Sequence, residues 1–255
     1  MRRPTLAAAT LAGGLLPLGD ALAAGEVNAS LGHARVQDVA EGSGPLMGVH
    51  GAWDFGGDRV FGRLEGRLLG GNVDRDFDDG ASESGAAAEA GFRALVGTRL
   101  EGGVGLYTGV GYRQFDAEYT SRPDEYFTAD TGGSDPRAEY TSSLQTAYVP
   151  VGLVGEGRLR SGWQVRTRLE AAMPVRTQES VEMPAAAGGG TETFDRTGGV
   201  GGRLAITFRR DRLGITPYVR AFDLPQADSE TVNGEQLAPD DHRTVIAGIR
   251  LGLVF

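Results

Sequence analysis

The stretch RTVIAGIRLGLVF, residues 243–255, alternates between two kinds of side chain. The first set is wholly apolar and consists of Val245, Ala247, Ile249, Leu251, Leu253 and Phe255. The second set mixes small residues with one arginine and consists of Thr244, Ile246, Gly248, Arg250, Gly252 and Val254. Successive side chains of a strand point to opposite faces, so this period of two predicts a β-strand that runs to Phe255. Such a strand is compatible with the core of a soluble protein and with a lipid-facing surface. The rest of the sequence is needed to distinguish these two environments.

The N-terminal segment has the pattern of a secretory signal peptide. Two arginines precede an apolar stretch, which ends in the small residues Ala21-Leu22-Ala23. We therefore expect two parts: a signal peptide over 1–23 and a β-domain over 24–255. The chain has no cysteine, which excludes a disulfide framework. The net charge of −9 argues against a nucleic-acid partner.

Alternating segments divide the β-domain into about ten predicted strands. Their spans are 27–36, 45–55, 59–73, 86–100, 104–119, 140–159, 163–177, 193–209, 213–222 and 243–255. Tight turns at 55–58, 101–103, 160–162 and 209–212 alternate with longer connections at 37–44, 74–85, 124–139, 180–192 and 224–241. Short turns at one rim and long loops at the other are typical of up-and-down membrane barrels. The sequence therefore predicts an all-β, antiparallel, up-and-down transmembrane β-barrel of about ten strands.

The two faces of the predicted strands support this fold. Outward positions are small and apolar, as in Leu169, Ala171 and Met173, and lipid fills the gaps between such side chains. Aromatic residues lie where strands meet the tight turns, which is typical of an interfacial girdle. They are Trp53, Phe55, Trp163, Phe208 and Phe255.

Two strands contain irregular positions. His33 shares a face with Val27 and Leu31, which predicts either a register break or a short membrane segment in the first strand. Pro150 lies within a strand and removes a ladder hydrogen bond, which predicts a bulge or kink there.

The whole β-domain resembles bacterial outer-membrane β-barrels of the opacity and OmpA-like size class. The C-terminal strand that ends on phenylalanine is the most specific part of the likeness. The resemblance implies location in the outer membrane, with membrane lipid and lipopolysaccharide as neighbours. It also implies that Ile249, Leu251, Leu253 and Phe255 form the signal read by the barrel-assembly machinery. We expect a monomer without a cofactor or a bound metal.

The interior of a ten-stranded barrel is narrow, so side chains can fill it. The inward positions are rich in arginine and hold fewer acids, and Arg176 is assigned among them. The predicted lumen network consists of Arg63, Glu65, Arg67, Glu89, Arg93, Glu156, Arg158, Arg166, Arg168, Glu170, Arg203 and Arg250. Buried charges need partners, which favours a non-enzymatic barrel whose lumen is filled by ion pairs. The excess of arginine leaves a narrow, anion-leaning channel as an alternative.

A surface protease is the second alternative, because the omptin proteases are also ten-stranded. That family uses an Asp pair facing an Asp–His pair at the outer rim. Here Asp74 and Asp76 end the third predicted strand, and Asp240, Asp241 and His242 begin the tenth. The fourth outer loop, which holds the Asp–His pair in omptins, has no histidine here. This chain thus lacks the matching active-site pattern, and we expect no enzymatic activity.

Overall fold

The computed structural model describes residues 24–38, 41–76, 82–121, 138–183, 189–232 and 235–255. The predicted signal peptide, the tips of most predicted loops and the segment 122–137 lie outside these ranges. The strands are β1 (Ala24–Gln37), β2 (Glu41–Gly56), β3 (Val60–Asp76), β4 (Ser82–Arg99), β5 (Val104–Ser121), β6 (Ala138–Arg158), β7 (Gln164–Met183), β8 (Gly190–Arg196), β9 (Val200–Arg210), β10 (Leu213–Leu224), β11 (Glu230–Val232), β12 (Glu235–Leu237) and β13 (His242–Val254). Across these residues, no helix is long and apolar enough to span a membrane.

The strands form a closed antiparallel ring. Its order is β6-β5-β4-β3-β2-β1-β13-β10-β9-β7, and a further pairing of β6 with β7 closes it. Both β8 and β9 pair with β7, each along a different part of it. Together they occupy one strand position in the wall, and the ring has ten strand positions. The strands β11 and β12 form a separate small hairpin in the connection from β10 to β13. The predicted ten-stranded antiparallel barrel is confirmed.

Three features of the predicted strands differ from the structure. The predicted strand 193–209 is interrupted at 197–199, where Gly198 and Gly199 have φ values of 90° and 101° that favour glycine. Most strands extend a few residues further toward the long connections than predicted. The first outer connection, predicted over 37–44, is shorter than predicted, because β1 ends at Gln37 and β2 begins at Glu41.

Alternation sorts the side chains between the two surfaces of the barrel. On β13, Leu251 is 54 % exposed and points outward, whereas Arg250 is 6 % exposed and points into the lumen. Outward residues of other strands, such as Leu169 and Val49, are equally exposed, at 55 % each. The predicted assignment of apolar residues outside and charges inside is confirmed for these strands.

The strand β1 keeps one register from Ala24 to Gln37. His33 points outward beside Arg35, so the apolar outer face of this strand ends at Leu31. Of the two expectations for His33, the short apolar segment is correct.

The wall is irregular near Pro150. The pairing of β5 with β6 stops at Thr108 and Val151 and resumes at Gly111 and Tyr148. On the other side of β6, Tyr148 pairs with Pro174 while Ala147 pairs with Arg176. Val175 is therefore the extra residue of a bulge.

The bulge changes which side chains of β7 face the lumen. Before it, even-numbered residues such as Glu170 point inward, and after it Thr177 and Glu179 do. Arg176 is exposed on the outside. Its assignment to the lumen was wrong, because one extra residue reverses the faces that follow.

The two ends of the described chain close the barrel. Gly25 and Phe255 exchange two backbone hydrogen bonds of 2.8 and 2.9 Å. The Phe255 ring lies over Gly25, where a β-carbon would come within 2.5 Å of the ring. Glycine at this position therefore lets the terminal ring pack against the first strand.

Candidate functional site

The carboxylate of Glu65, on β3, is the centre of the lumen network. Four guanidinium groups converge on it, one from its own strand β3 and the others from β4, β7 and β9. Arg93 Nε donates a 2.7 Å hydrogen bond, Arg168 Nη1 one of 2.8 Å and Arg203 Nη1 one of 2.9 Å. Arg63 completes the set through its Nε. Glu65 is 4 % exposed, so its charge is neutralised by these arginines rather than by water.

Glu170 extends this network across the lumen. Arg93 donates to both of its oxygens, at 2.6 and 2.5 Å, while Tyr107 donates through its hydroxyl at 3.0 Å. The ring of Tyr107 lies over Gly152, where a side chain would collide with it. Large rings over glycines thus fill the lumen without widening the ring of strands.

A second group of charges lies at the end of the lumen that carries the tight turns. Arg63 pairs with Asp54 at 2.7 Å and also contacts Glu26. Arg166 bridges Asp54, at 2.9 Å, and Glu156, at 2.7 Å. Arg63 is buried, whereas Glu26, Asp54, Glu156 and Arg166 are more exposed than Glu65 and line an open vestibule of about 440 Å³. The walls of this vestibule carry both signs of charge.

A third group surrounds Glu89, where arginines exceed acids. Arg67 donates to Glu89 at 2.6 Å, Arg220 lies 3.0 Å from it and Arg113 lies 3.4 Å from it. The Arg113 guanidinium also lies 4.8 Å from the ring centre of Phe222. Aromatic faces therefore provide part of the stabilisation that carboxylates would otherwise give these cations.

Toward the long connections the interior becomes apolar. Phe115, Tyr140, Leu144, Phe194 and Ile246 are all at most 1 % exposed and belong to one cluster. Within the described residues, this cluster fills the lumen between the charged region and the loop end.

A buried ion pair lies in the same half of the barrel. Glu179 pairs there with Arg196, and Ser142 donates to Glu179 at 2.6 Å.

The structure brings together ten of the predicted network residues. They are Arg63, Glu65, Arg67, Glu89, Arg93, Glu156, Arg166, Arg168, Glu170 and Arg203. Two others are placed differently from the prediction. Arg158 is exposed at the vestibule, beyond the reach of the network. Arg250 is buried but packs on Tyr218, with its guanidinium carbon 4.9 Å from the ring centre.

Other lumen charges were missing from the predicted network. Glu26 precedes the first predicted strand, and Arg196 lies just before the break between β8 and β9. Glu179 lies beyond the bulge and the predicted end of its strand. The alternation of the sequence also predicts that Arg113 and Arg220 point inward, as the structure shows, but they were not included in the predicted network.

At the loop end, the described acids and the histidine considered for a protease differ in burial. His242 is buried, bonds to Thr244 at 2.6 Å and lies 3.8 Å from Asp38. Its ring contacts Phe115 at 5.7 Å between ring centres, so apolar groups cover part of it. Asp74 and Asp241 are exposed. Burial, together with the neighbouring Asp241, raises the pKa of Asp240.

A comparison with solved structures shows which known proteins have a similar architecture. The chain is similar to the outer-membrane protease OmpT of Escherichia coli, with a TM-score of 0.51, 12 % identity and coverage of 92 % of this chain and 97 % of OmpT. A closed ring with an apolar outside and charges inside is also the arrangement that lipid requires of a spanning sheet. The protein has the fold of the bacterial outer-membrane β-barrels.

Two further solved structures are similar to it with lower TM-scores. The β-domain of the Bordetella autotransporter BrkA has a TM-score of 0.43 and 19 % identity, covering 89 % of this chain and 98 % of that one. Neisserial surface protein A has a TM-score of 0.36 and 12 % identity, covering 89 % and 97 %. No protein-family model and no curated protein matches the sequence. At these identities the likeness concerns the fold alone.

Proposed function

We propose that this outer-membrane barrel is a non-enzymatic, non-conducting integral protein, which spans the membrane as a filled scaffold and presents its acidic loops to the outside. The observation that carries the proposal is the occupied lumen. Side chains of Glu65, Arg93 and Glu170 cross its middle, and the apolar cluster around Phe115 and Leu144 fills its outer half. An ion would have to displace buried salt bridges and then pass the packed side chains of the apolar cluster.

The narrow anion channel is the second candidate, and the surplus of buried arginine favours it. Arg113, Arg220 and Arg250 are each at most 8 % exposed and outnumber the carboxylates near them. A lumen that opened transiently would present these cations to anions first. The same surplus in a closed barrel instead makes the interior electropositive.

Chloride efflux from vesicles separates the two candidates. Purified protein is reconstituted into vesicles that contain a chloride-quenched dye, and a general porin serves as the positive control. The filled scaffold predicts efflux at the rate of protein-free vesicles. Efflux that increases in proportion to the amount of protein, and is lost in Arg220→Gln, would favour the channel.

Absence of peptidase activity is the other half of the proposal. The described rim residues do not form an open cleft around His242, which is 2 % exposed. A mixed library of fluorogenic peptides incubated with the folded barrel should remain intact. Cleavage that disappears in His242→Ala would contradict the non-enzymatic assignment.

A further inference from the structure

A small cavity lies in the middle of the lumen between the Glu65 and Glu89 groups. Its volume is about 20 Å³, and four arginines contribute to its wall: Arg67, Arg203, Arg220 and Arg250. Tyr218, Ser30 and His50 line it as well, together with Glu65. The Tyr218 hydroxyl and the Ser30 hydroxyl are hydrogen-bonded to each other at 3.1 Å.

The carboxylates near this cavity are already engaged. Glu65 binds four arginines, one of which is Arg203, at 2.9 Å. Glu89 accepts a hydrogen bond from Arg67 through Oε1, at 2.6 Å, and its Oε2, which has no hydrogen-bond partner, lies 3.4 Å from the Arg113 guanidinium. The described chain therefore leaves the remaining cations of the wall with little negative charge.

Arg250 and Arg220 are the two cations of the cavity wall with no described hydrogen bond to a carboxylate. Arg250 is 6 % exposed, its Nε has no hydrogen-bond partner and its guanidinium packs on the Tyr218 ring, while Glu65 and Glu26 act on its charge from further away. Arg220 is 8 % exposed, and its Nε and Nη2 have no hydrogen-bond partner, although Nη2 lies 3.0 Å from Glu89. A buried guanidinium without a counter-charge costs several kcal/mol. A water molecule could accept these hydrogen bonds, but it would leave the positive charge in place.

We propose that the cavity is a binding site for one monatomic halide, with chloride as the natural ligand, held by Arg220 and Arg250. A volume of about 20 Å³ accommodates one particle of roughly water size. Sulfate, phosphate and carboxylates are too large for it. A halide meets both requirements of the wall, since it accepts several N–H donors and neutralises one guanidinium. This site goes beyond the scaffold role, because it adds a ligand to a barrel that need not transport it.

Refolding in defined salts tests the site without depending on access through the closed wall. The protein is refolded into detergent in sodium bromide, and crystals from that solution are measured at the bromine absorption edge. An anomalous peak within hydrogen-bonding distance of Arg220 and Arg250 is expected. A solution series at constant ionic strength exchanges sodium gluconate for sodium chloride, and the midpoint of urea unfolding is followed. The midpoint should increase with chloride and then saturate, as ligand linkage requires.

Two variants identify the donors. Arg250→Gln should lose the chloride response and, in gluconate, be at least as stable as the wild type because an unpaired charge has been removed. Arg209→Gln, at the vestibule, should keep the full response. If Arg250→Gln fails to fold, the wild-type bromide map and chloride series decide alone. The proposal would be overturned if the map showed no anomalous peak at the cavity and the wild-type unfolding midpoints were equal in chloride and gluconate. It would also be overturned if Arg250→Gln kept a saturating response to chloride.

Discussion

Neutralising Glu65 should be the most damaging conservative substitution in the lumen. Glu65→Gln keeps the shape of the side chain but removes the charge shared by Arg63, Arg93, Arg168 and Arg203. Of these, Arg93 keeps Glu170 and Arg63 keeps Asp54, whereas Arg168 and Arg203 lose the only carboxylate that contacts them in the described residues. Removing one partner of a buried ion pair costs about 3–5 kcal/mol, and the remaining amide oxygen recovers little of it. We expect the free energy of unfolding to fall by about that amount.

Equilibrium urea unfolding in lipid vesicles measures this loss through tryptophan fluorescence. Trp53 and Trp163 lie near the tight turns and leave the lipid interface on unfolding. Glu156→Gln is the matched control, because Glu156 is exposed and its pair with Arg166 should contribute less than about 1 kcal/mol. Adding Arg168→Met to Glu65→Gln should restore part of the loss, since it removes one orphaned cation. Equal small effects of Glu65→Gln and Glu156→Gln would refute the view that Glu65 organises the lumen.

The other predictions concern the outer wall and the closing strand. Leu169→Arg should destabilise the barrel by about 2–4 kcal/mol if residue 169 lies near the bilayer midplane, whereas Leu159→Arg in a tight turn should be tolerated. Equal effects of the two substitutions in the same urea assay would argue against the lipid-facing assignment of Leu169. Phe255→Asp should strongly impair assembly in cells, as read from heat-modifiable gel mobility, and unchanged assembly would contradict the role of the C-terminal strand. Gly25→Val should weaken barrel closure because its side chain meets the Phe255 ring, while Gly57→Val, with no atom near its added β-carbon, should not.

The ring of strands could be predicted because each strand of a membrane barrel shows its two surfaces in its own sequence. The alternation of Arg250 with Ile249 and Leu251 needs no knowledge of neighbouring strands. The same local rule failed at Arg176, because the bulge at Val175 reverses the alternation without an unambiguous local signal. The same rule also predicted one strand where the structure has β8 and β9, because the alternation in the sequence looks continuous on either side of 197–199.

The pairing of charged side chains within the lumen is harder to predict from the sequence than the strands are. Glu65 and Arg203 are 138 residues apart, and they meet because the ring brings β3 and β9 to face each other across a narrow interior. An inward direction can be predicted, but the choice among many arginines depends on the register of every intervening pair of strands. Arg250 illustrates the limit, because it points inward as predicted yet packs on the Tyr218 ring instead of a carboxylate.

Single-channel recording in a planar bilayer tests the filled lumen most directly. Wild-type protein inserted into the bilayer should show no steady current, with at most rare, brief openings, under conditions in which a general porin conducts. The double variant Glu65→Gln/Glu170→Gln should show more frequent openings that favour chloride over potassium, because it releases the arginines that cross the lumen. A steady wild-type current would contradict the filled scaffold, and a preference of that current for cations would also contradict the anion channel.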